Sequence, residues 1–170
     1  MADQPLTGIL LAGGGSRRFG SPKALARLAT ETLAERAWRL LGEVCDERIA
    51  VGRVEGLPFP ALADEGTGPV AAIAAGLRNA THDVALVIPV DMPLLTGEAL
   101  RVLAGACREA SVAQAGPLPC AVVRHTLPAF EAGERRLSTV LDGLDTARVE
   151  LDERLLANVN TPADLDTLAR

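Results

Sequence analysis

Aromatic residues are almost absent from this chain of 170 residues, which contains one Trp, three Phe and no Tyr. Its core must therefore consist mainly of Ala, Leu and Val side chains. Binding of single-stranded nucleic acid by base stacking needs exposed aromatic rings, so the composition argues against it. The formal net charge of −5 also argues against a general polyanion-binding protein, because affinity for nucleic acid depends largely on neutralised phosphates. We therefore expect any anion site to be local.

Paired cysteines and long apolar runs are missing as well. Cys45, Cys107 and Cys120 form no Cys-x-x-Cys pair and no Cys/His ligand spacing, which argues against a zinc site or a disulfide scaffold. No run of about 18 apolar residues is present to span a bilayer. The N-terminus lacks the basic and apolar segments of a secretion signal. We expect a cytoplasmic protein with reduced cysteines and no membrane association.

Apolar runs alternate with helix-like stretches, a pattern typical of a parallel sheet covered by helices. Residues 6–11 and 84–90 predict the two clearest strands, and residues 23–41 and 96–110 predict helices. We find no internal repeat, low-complexity segment or linker. An α/β fold in one domain over residues 1–170 is therefore expected.

The first predicted strand runs directly into a glycine-rich loop. Residues 13–15 are glycines, which lack the Cβ atoms that would keep backbone N–H groups away from an anion. Arg17, Arg18 and Lys23 follow and can neutralise such an anion. The loop has neither the Gly-Lys-Ser/Thr end of a Walker loop nor the glycine spacing of a dinucleotide fingerprint. It predicts a nucleotide phosphate site of another kind.

The second clear strand ends in Asp91, followed by Met92 and Pro93. Ligands of open parallel sheets bind beyond the carboxyl ends of the strands, so Asp91 would lie beside the phosphates if the two strands are neighbours. Mg²⁺ would remove the resulting repulsion, because it binds one or two carboxylates together with phosphate oxygens. Alternatively, Asp91 only caps the following turn. Lys23 is open to the same question, since it could be a solvated side chain at a helix start.

Several segments together resemble one known family. Residues 11–20 with Lys23 resemble the signature loop of the molybdenum cofactor guanylyltransferases, the MobA family. By composition alone the later segments would be a turn, a charged surface turn and a helix cap. The order and content of the Gly-Glu-Arg-Arg and Asn-x-Asn-Thr-Pro segments point to the guanylyltransferase branch. The resemblance continues through residues 64–71, 89–93, 132–136 and 158–165.

This resemblance implies a Rossmann-like three-layer α/β/α fold with a mostly parallel sheet, of the nucleotide-diphospho-sugar transferase type. It implies transfer of GMP from GTP to molybdenum-loaded molybdopterin, with Mg²⁺ as cofactor and pyrophosphate as leaving group. The attacking group would be a substrate phosphate, so no Ser, Cys or His nucleophile is required. Molybdopterin-inserting proteins and molybdoenzyme apoproteins are the implied macromolecular partners; no nucleic acid is expected.

The resemblance also implies roles for individual residues. Lys23 and Asp91 would be catalytic, and Asp91 would bind the metal. To these we add Arg17 and Arg18 as cations beside the β- and γ-phosphates, with Arg17 as a catalytic residue. Arg135 and Asn160 would face or brace the acceptor. The expected nucleotide-binding residues are Leu11, Ala12, Gly13, Gly14, Gly15, Ser16, Arg18, Lys23, Asp64 and Asp91.

The chain departs from the family's pattern at two site positions. Pro22 stands where an Asp usually precedes the lysine, and Gly52 stands where a nucleoside-contacting Asn is usual. The chain is also shorter around residues 111–119, where the pterin should be held. Two alternatives therefore remain: a nucleotidyltransferase that uses CTP or another phosphorylated acceptor, and a non-catalytic relative that binds nucleotide or cofactor.

Overall fold

A seven-stranded β-sheet forms the middle of the computed structural model, which describes residues 4–13, 22–63 and 68–168. The strands are β1 (Leu6–Leu11), β2 (Arg27–Leu28), β3 (Glu31–Thr32), β4 (Glu47–Val51), β5 (Ala61–Leu62), β6 (Val84–Pro89), β7 (Ala110–Ala113), β8 (Cys120–Val123) and β9 (Thr146–Val149). The sheet order is β5-β4-β1-β6-β8-β7-β9, and β2 pairs with β3 in a separate hairpin. Only β8 runs antiparallel to its neighbours in the large sheet. The predicted mostly parallel sheet is confirmed.

Helices cover both faces of this sheet, as the three-layer prediction requires. They are α1 (Leu33–Gly42), α2 (Pro69–Asn79), α3 (Gly97–Ala106), α4 (Leu127–Glu131), α5 (Leu137–Asp142) and α6 (Pro162–Leu168). Successive side chains of a strand point to opposite faces. Leu10 accordingly packs in a cluster with Leu41 of α1 and Leu100 of α3, whereas Ile9 packs in a second cluster with Ile73 of α2. No helix in the described part of the chain is long and apolar enough to cross a membrane.

The helix predicted over residues 23–41 is wrong in its first half. Lys23–Leu25 forms a single 3-10 turn, and the β2–β3 hairpin follows, with Ala29 at φ 57° in its turn. Helix α1 begins only after Thr32, whose hydroxyl accepts from Glu35 N at 3.1 Å while the Glu35 carboxylate accepts from Thr32 N at 2.7 Å. This capping box starts the helix. Lys23 therefore does not lie at an α-helix N-terminus.

The helix predicted over residues 96–110 is correct at its start and wrong at its end. The Thr96 hydroxyl accepts from Ala99 N at 3.3 Å, as expected of an N-cap. The helix stops at Ala106, and Ala110–Ala113 becomes strand β7 between β8 and β9. All four residues of β7 are buried. Their strand conformation comes from pairing with distant segments, which a local pattern does not record.

Trp38 attaches the segment after β4 to helix α1. It is the chain's only tryptophan, and its ring stacks on Phe59 with centroids 4.2 Å apart and an interplanar angle of 12°. The Arg48 guanidinium lies 4.6 Å from the Trp38 ring centroid and donates to the Trp38 carbonyl at 2.9 Å. This stack ties residues 52–60 to the helical layer.

Helix α2 lies so close to β1 that Gly76 has no room for a side chain. An added Cβ would lie 2.7 Å from Ile9 Cδ1 and 2.9 Å from Ile9 Cγ2, and Ile9 is fully buried. We expect Gly76→Ala to lower the free energy of unfolding by about 1–3 kcal/mol through overpacking. Gly105→Ala in α3 is the matched control, because nothing lies within 4 Å of its added Cβ. Equal urea unfolding midpoints for the two variants would contradict the close packing of α2 on β1.

Candidate functional site

The carboxyl ends of β1, β4 and β6 meet at one edge of the sheet. Leu11 of β1 is paired with Val51 on one side and with Pro89 on the other. Beyond the strands, Ala12 N donates to the Val51 carbonyl at 2.9 Å and Val90 N donates to the Leu11 carbonyl at 3.4 Å. The glycine loop therefore starts between the ends of β4 and β6. Of the expected nucleotide-binding and catalytic residues, those outside the described ranges are Gly14, Gly15, Ser16, Arg17, Arg18 and Asp64.

Gly52, directly after β4, lies against the backbone of this loop. Its φ of 141° lies in a region that favours glycine. A Cβ built there would lie 2.2 Å from Gly13 N and 2.7 Å from Gly13 Cα. No side chain fits between these two backbones, so an Asn at position 52 is incompatible with this arrangement. The departure from the family's pattern at Gly52 thus has a steric reason, namely the close approach of two strand ends.

Three of the predicted site residues meet at this edge, because Lys23 contacts both of the others. Lys23 Nζ lies 3.3 Å from Asp91 Oδ2 and 3.3 Å from Asn160 Oδ1. The side chains of Lys23 and Asp91 are only 17% and 24% exposed, so both charges are partly withdrawn from water and each offsets the other. Arg135 lies elsewhere, in the exposed segment before α5, where its backbone N–H donates to Glu134 Oε1 at 2.7 Å. No described contact joins Arg135 to the other three.

Lys23 also stands out in the composition of the chain. Of the 17 Lys and Arg residues in the chain, it is the only lysine. A lysine ammonium is a compact point charge on a long stem, whereas arginine presents a planar, forked group. The lysine count is therefore a signal, independent of the loop motif, that singles out this residue.

The segment before α6 joins the site through backbone and side-chain hydrogen bonds. Val159 is buried, and its backbone N–H donates to the Asp91 carbonyl at 2.8 Å. The next residue, Asn160, carries the amide oxygen that accepts from Lys23. The structure therefore places Asn160 beside the predicted phosphate-binding lysine. Whether it also contacts an acceptor stays a prediction.

Asp164 holds this segment in place, and the sequence analysis missed it. Its Oδ2 accepts from Asn160 N and from Thr161 N, both at 2.8 Å, while Asp164 N donates to Thr161 Oγ1 at 3.3 Å. The backbone hydrogen bonds from Asn160 and Thr161 lower the pKa of Asp164, and the positive charge of Lys23 contributes to the same shift. The Thr-x-x-Asp spacing from Thr161 into the first turn of α6 resembles a capping box and could have identified this residue.

In the described part of the chain, neither the cysteine thiols nor a cluster of metal-ligating side chains provides a catalytic group, which agrees with a reaction whose attacking group comes from a substrate. Burial raises the pKa of all three thiols, that of Cys107 to about 11, so none is a thiolate nucleophile near neutral pH. Within the described ranges, no cluster of three or more His, Cys, Asp or Glu side chains could hold a metal ion. A cation bound at Asp91 would therefore need oxygen ligands beyond the described carboxylates, such as those of a substrate or of water.

Solved structures share this architecture over nearly the whole chain. A nucleotidyl transferase from Methanothermobacter superimposes with a TM-score of 0.83 at 20% identity, covering 98% of this chain and 97% of that one. Molybdopterin-guanine dinucleotide biosynthesis protein A from Archaeoglobus fulgidus gives a TM-score of 0.77 at 22% identity, covering 95% of each chain. At these identities the similarity establishes the Rossmann-like fold.

Sequence comparison establishes the class and then the family. Residues 8–152 match the MobA-like NTP transferase domain, so the chain is a nucleotidyltransferase. A Mycobacterium tuberculosis protein named probable molybdenum cofactor guanylyltransferase is 37% identical over 186 residues, covering 95% of this chain and 92% of that protein. The chain belongs to the molybdenum cofactor guanylyltransferase, or MobA, family, as the resemblance of its loop and later segments predicted.

The contact between Gly52 and Gly13 can be tested by adding one methyl group. We expect Gly52→Ala to destabilise the protein by about 1–3 kcal/mol, because it combines an unfavourable φ with a steric clash. It should also weaken nucleotide binding, since the methyl group would displace the start of the glycine loop. Gly116→Ala is the control, because its Cβ meets nothing within 4 Å. Urea unfolding and nucleotide titration measure the two effects, and a Gly52→Ala variant that matches the control would refute the close approach.

Proposed function

We propose that this protein transfers GMP from GTP to the terminal phosphate of molybdenum-loaded molybdopterin. An acceptor phosphate oxygen would attack the α-phosphorus of GTP, and the bond from that phosphorus to the bridging oxygen of the β-phosphate would break, releasing pyrophosphate. The observation that carries the proposal is the contact of Lys23 with Asp91 and Asn160 beyond the carboxyl ends of β1 and β6, in a member of this family. The names of its relatives support the choice of GTP and of molybdopterin.

Phosphoryl transfer depends mainly on positioning and on neutralisation of charge, and the chain's own groups are suited to both. We propose that Lys23 binds the triphosphate and that the backbone of residues 11–13 contacts the guanine. Arg17 would neutralise the β- and γ-phosphates. Arg135 and Asn160 would serve the acceptor side. The remaining proposed nucleotide contacts are Gly14, Gly15, Ser16, Arg18 and Asp64.

Nucleotidyltransferases of this type generally use a divalent metal, and we propose Mg²⁺ bound by Asp91. The donor set fits, because the Lys23 ammonium already lies between two oxygen atoms, Asp91 Oδ2 and Asn160 Oδ1. A single protein carboxylate is also sufficient for Mg²⁺, which usually keeps several waters and takes phosphate oxygens as ligands. When bound, the ion would offset the negative charges of Asp91 and the phosphates. Molybdopterin-inserting proteins, molybdoenzyme apoproteins and a cytoplasmic location stay predictions.

Nucleotide preference separates this function from its alternatives. We expect magnesium-GTP to raise the melting temperature more than magnesium-CTP, and pyrophosphate to be released only when GTP and molybdenum-loaded molybdopterin are both present. Thermal shifts and a pyrophosphate assay with each of the four nucleotides measure these outcomes. A larger shift with CTP would favour a cytidylyltransferase. Binding of GTP without any pyrophosphate release would favour the non-catalytic alternative.

Variants of the two partners of the ion pair should differ in their kinetic effects. Both Asp91→Ala and Lys23→Ala lose the same ion pair, so any shared loss of stability cancels in the comparison. We expect Asp91→Ala to lower kcat by about 100-fold or more, whereas Lys23→Ala should mainly weaken GTP binding, by about tenfold. Steady-state kinetics and GTP titration measure the contrast.

Asp83→Ala is the control for the aspartate variant, since Asp83 is exposed and precedes the other end of β6. Its kcat and GTP affinity should equal those of the wild type. Unchanged turnover in Asp91→Ala would remove Asp91 from the proposed chemistry, and unchanged GTP affinity in Lys23→Ala would make Lys23 a structural residue.

A further inference from the structure

We propose that Asp164 is a positioning residue for Lys23, acting through Asn160. The position of the Lys23 ammonium depends on the Asn160 amide oxygen, and the position of Asn160 depends on the Asp164 carboxylate. The consequence for GTP binding rests on the function proposed above. The consequence for the placement of the lysine itself does not.

The first step is the attachment of Asn160 to Asp164. Asp164 Oδ2 accepts from the backbone N–H groups of both Asn160 and Thr161 at 2.8 Å. Two hydrogen bonds to one charged oxygen hold the peptide on each side of the Asn160 Cα. Hydrogen bonds with an ionised acceptor are stronger than neutral ones. The Asn160 backbone is therefore fixed at its own N–H and at the N–H that follows it.

The second step is the attachment of the same segment to the sheet edge. The residue before Asn160, Val159, is 1% exposed, and its N–H donates to the Asp91 carbonyl at 2.8 Å. Asn160 thus lies between two anchors, the end of β6 on one side and the Asp164 carboxylate on the other. Its side chain starts from a fixed backbone, which places Oδ1 at 3.3 Å from Lys23 Nζ.

The charges of Asp164 and Lys23 also interact directly. Lys23 contributes to the lowered pKa of Asp164, after the backbone hydrogen bonds, so the two charges lie close enough to interact. Asp164 therefore acts on Lys23 both by positioning Asn160 and by adding a second negative charge beside that of Asp91. A residue that only capped the seven-residue α6 would have no effect on the lysine.

Because Lys23 is the only lysine, an amine-modifying reagent followed by peptide mass spectrometry reports on this side chain alone, apart from the terminal amine. We expect Asp164→Ala to raise the modification rate of Lys23 severalfold and to weaken GTP binding by about fivefold. Asp164→Glu should restore both values, since Glu also completes a capping box. Asp166→Ala, on the exposed face of the same helix, should match the wild type.

A double-variant cycle tests the route through Asn160. In the Asn160→Ala background, Asp164→Ala should change the Lys23 modification rate much less than it does in the wild-type background, since coupled residues are not additive and only the direct effect of the Asp164 charge remains. The proposal is overturned if Asp164→Ala lowers the melting temperature but leaves the Lys23 rate at the wild-type value. Fully additive effects in the double variant would equally overturn the route through Asn160. Absence of GTP binding by the wild type would contradict the proposed function, and the labelling result would still decide the role of Asp164.

Discussion

The ammonium group of Lys23 connects three segments of the site that are far apart in the sequence. Asp91 lies 68 residues away and Asn160 lies 137 residues away, yet both accept hydrogen bonds from the same nitrogen. A partly buried charge is costly unless it is paired and hydrogen-bonded, so the turn at Lys23, the end of β6 and the segment before α6 must come together. Parallel strands provide the edge on which this can happen, because their carboxyl ends lie side by side.

Much of the fold can be predicted from local sequence, and the predictions that are wrong have identifiable physical causes. Strands β1 and β6 are covered on both faces, so β6 is continuously apolar, β1 is apolar apart from Thr7, and both are easy to predict. The helix expected from residue 23 fails because the Thr32 capping box places the start of α1 later, after a tight hairpin. Strand β7 is missed because it is short and half of its residues are Ala, which favours helix locally, and because its conformation depends on pairing with β8 and β9.

The proximity of Lys23 and Asp91 could be predicted from the sequence, because each residue follows a clear strand and each has a charge suited to a phosphate site. A metal-binding carboxylate after one strand was expected to lie beside the phosphates bound by a lysine after the neighbouring strand, and the two side chains lie in direct contact. Their roles stay proposals. The positions of Asn160 and Asp164 depend on contacts across most of the chain, which no short motif contains. Gly52 was noted as a missing Asn, and only the backbone distance to Gly13 explains why glycine stands there.

The Trp38–Phe59 stack has an optical consequence. Because the chain has no Tyr and one Trp, its intrinsic near-ultraviolet emission comes essentially from a single indole. That indole is packed on Phe59, in the segment that begins at Gly52 and so borders the glycine loop. The scarcity of aromatic residues, which argues against nucleic-acid stacking, also gives the protein one fluorophore at a defined position, the contact between helix α1 and the segment after β4, without a competing background from tyrosine or a second indole.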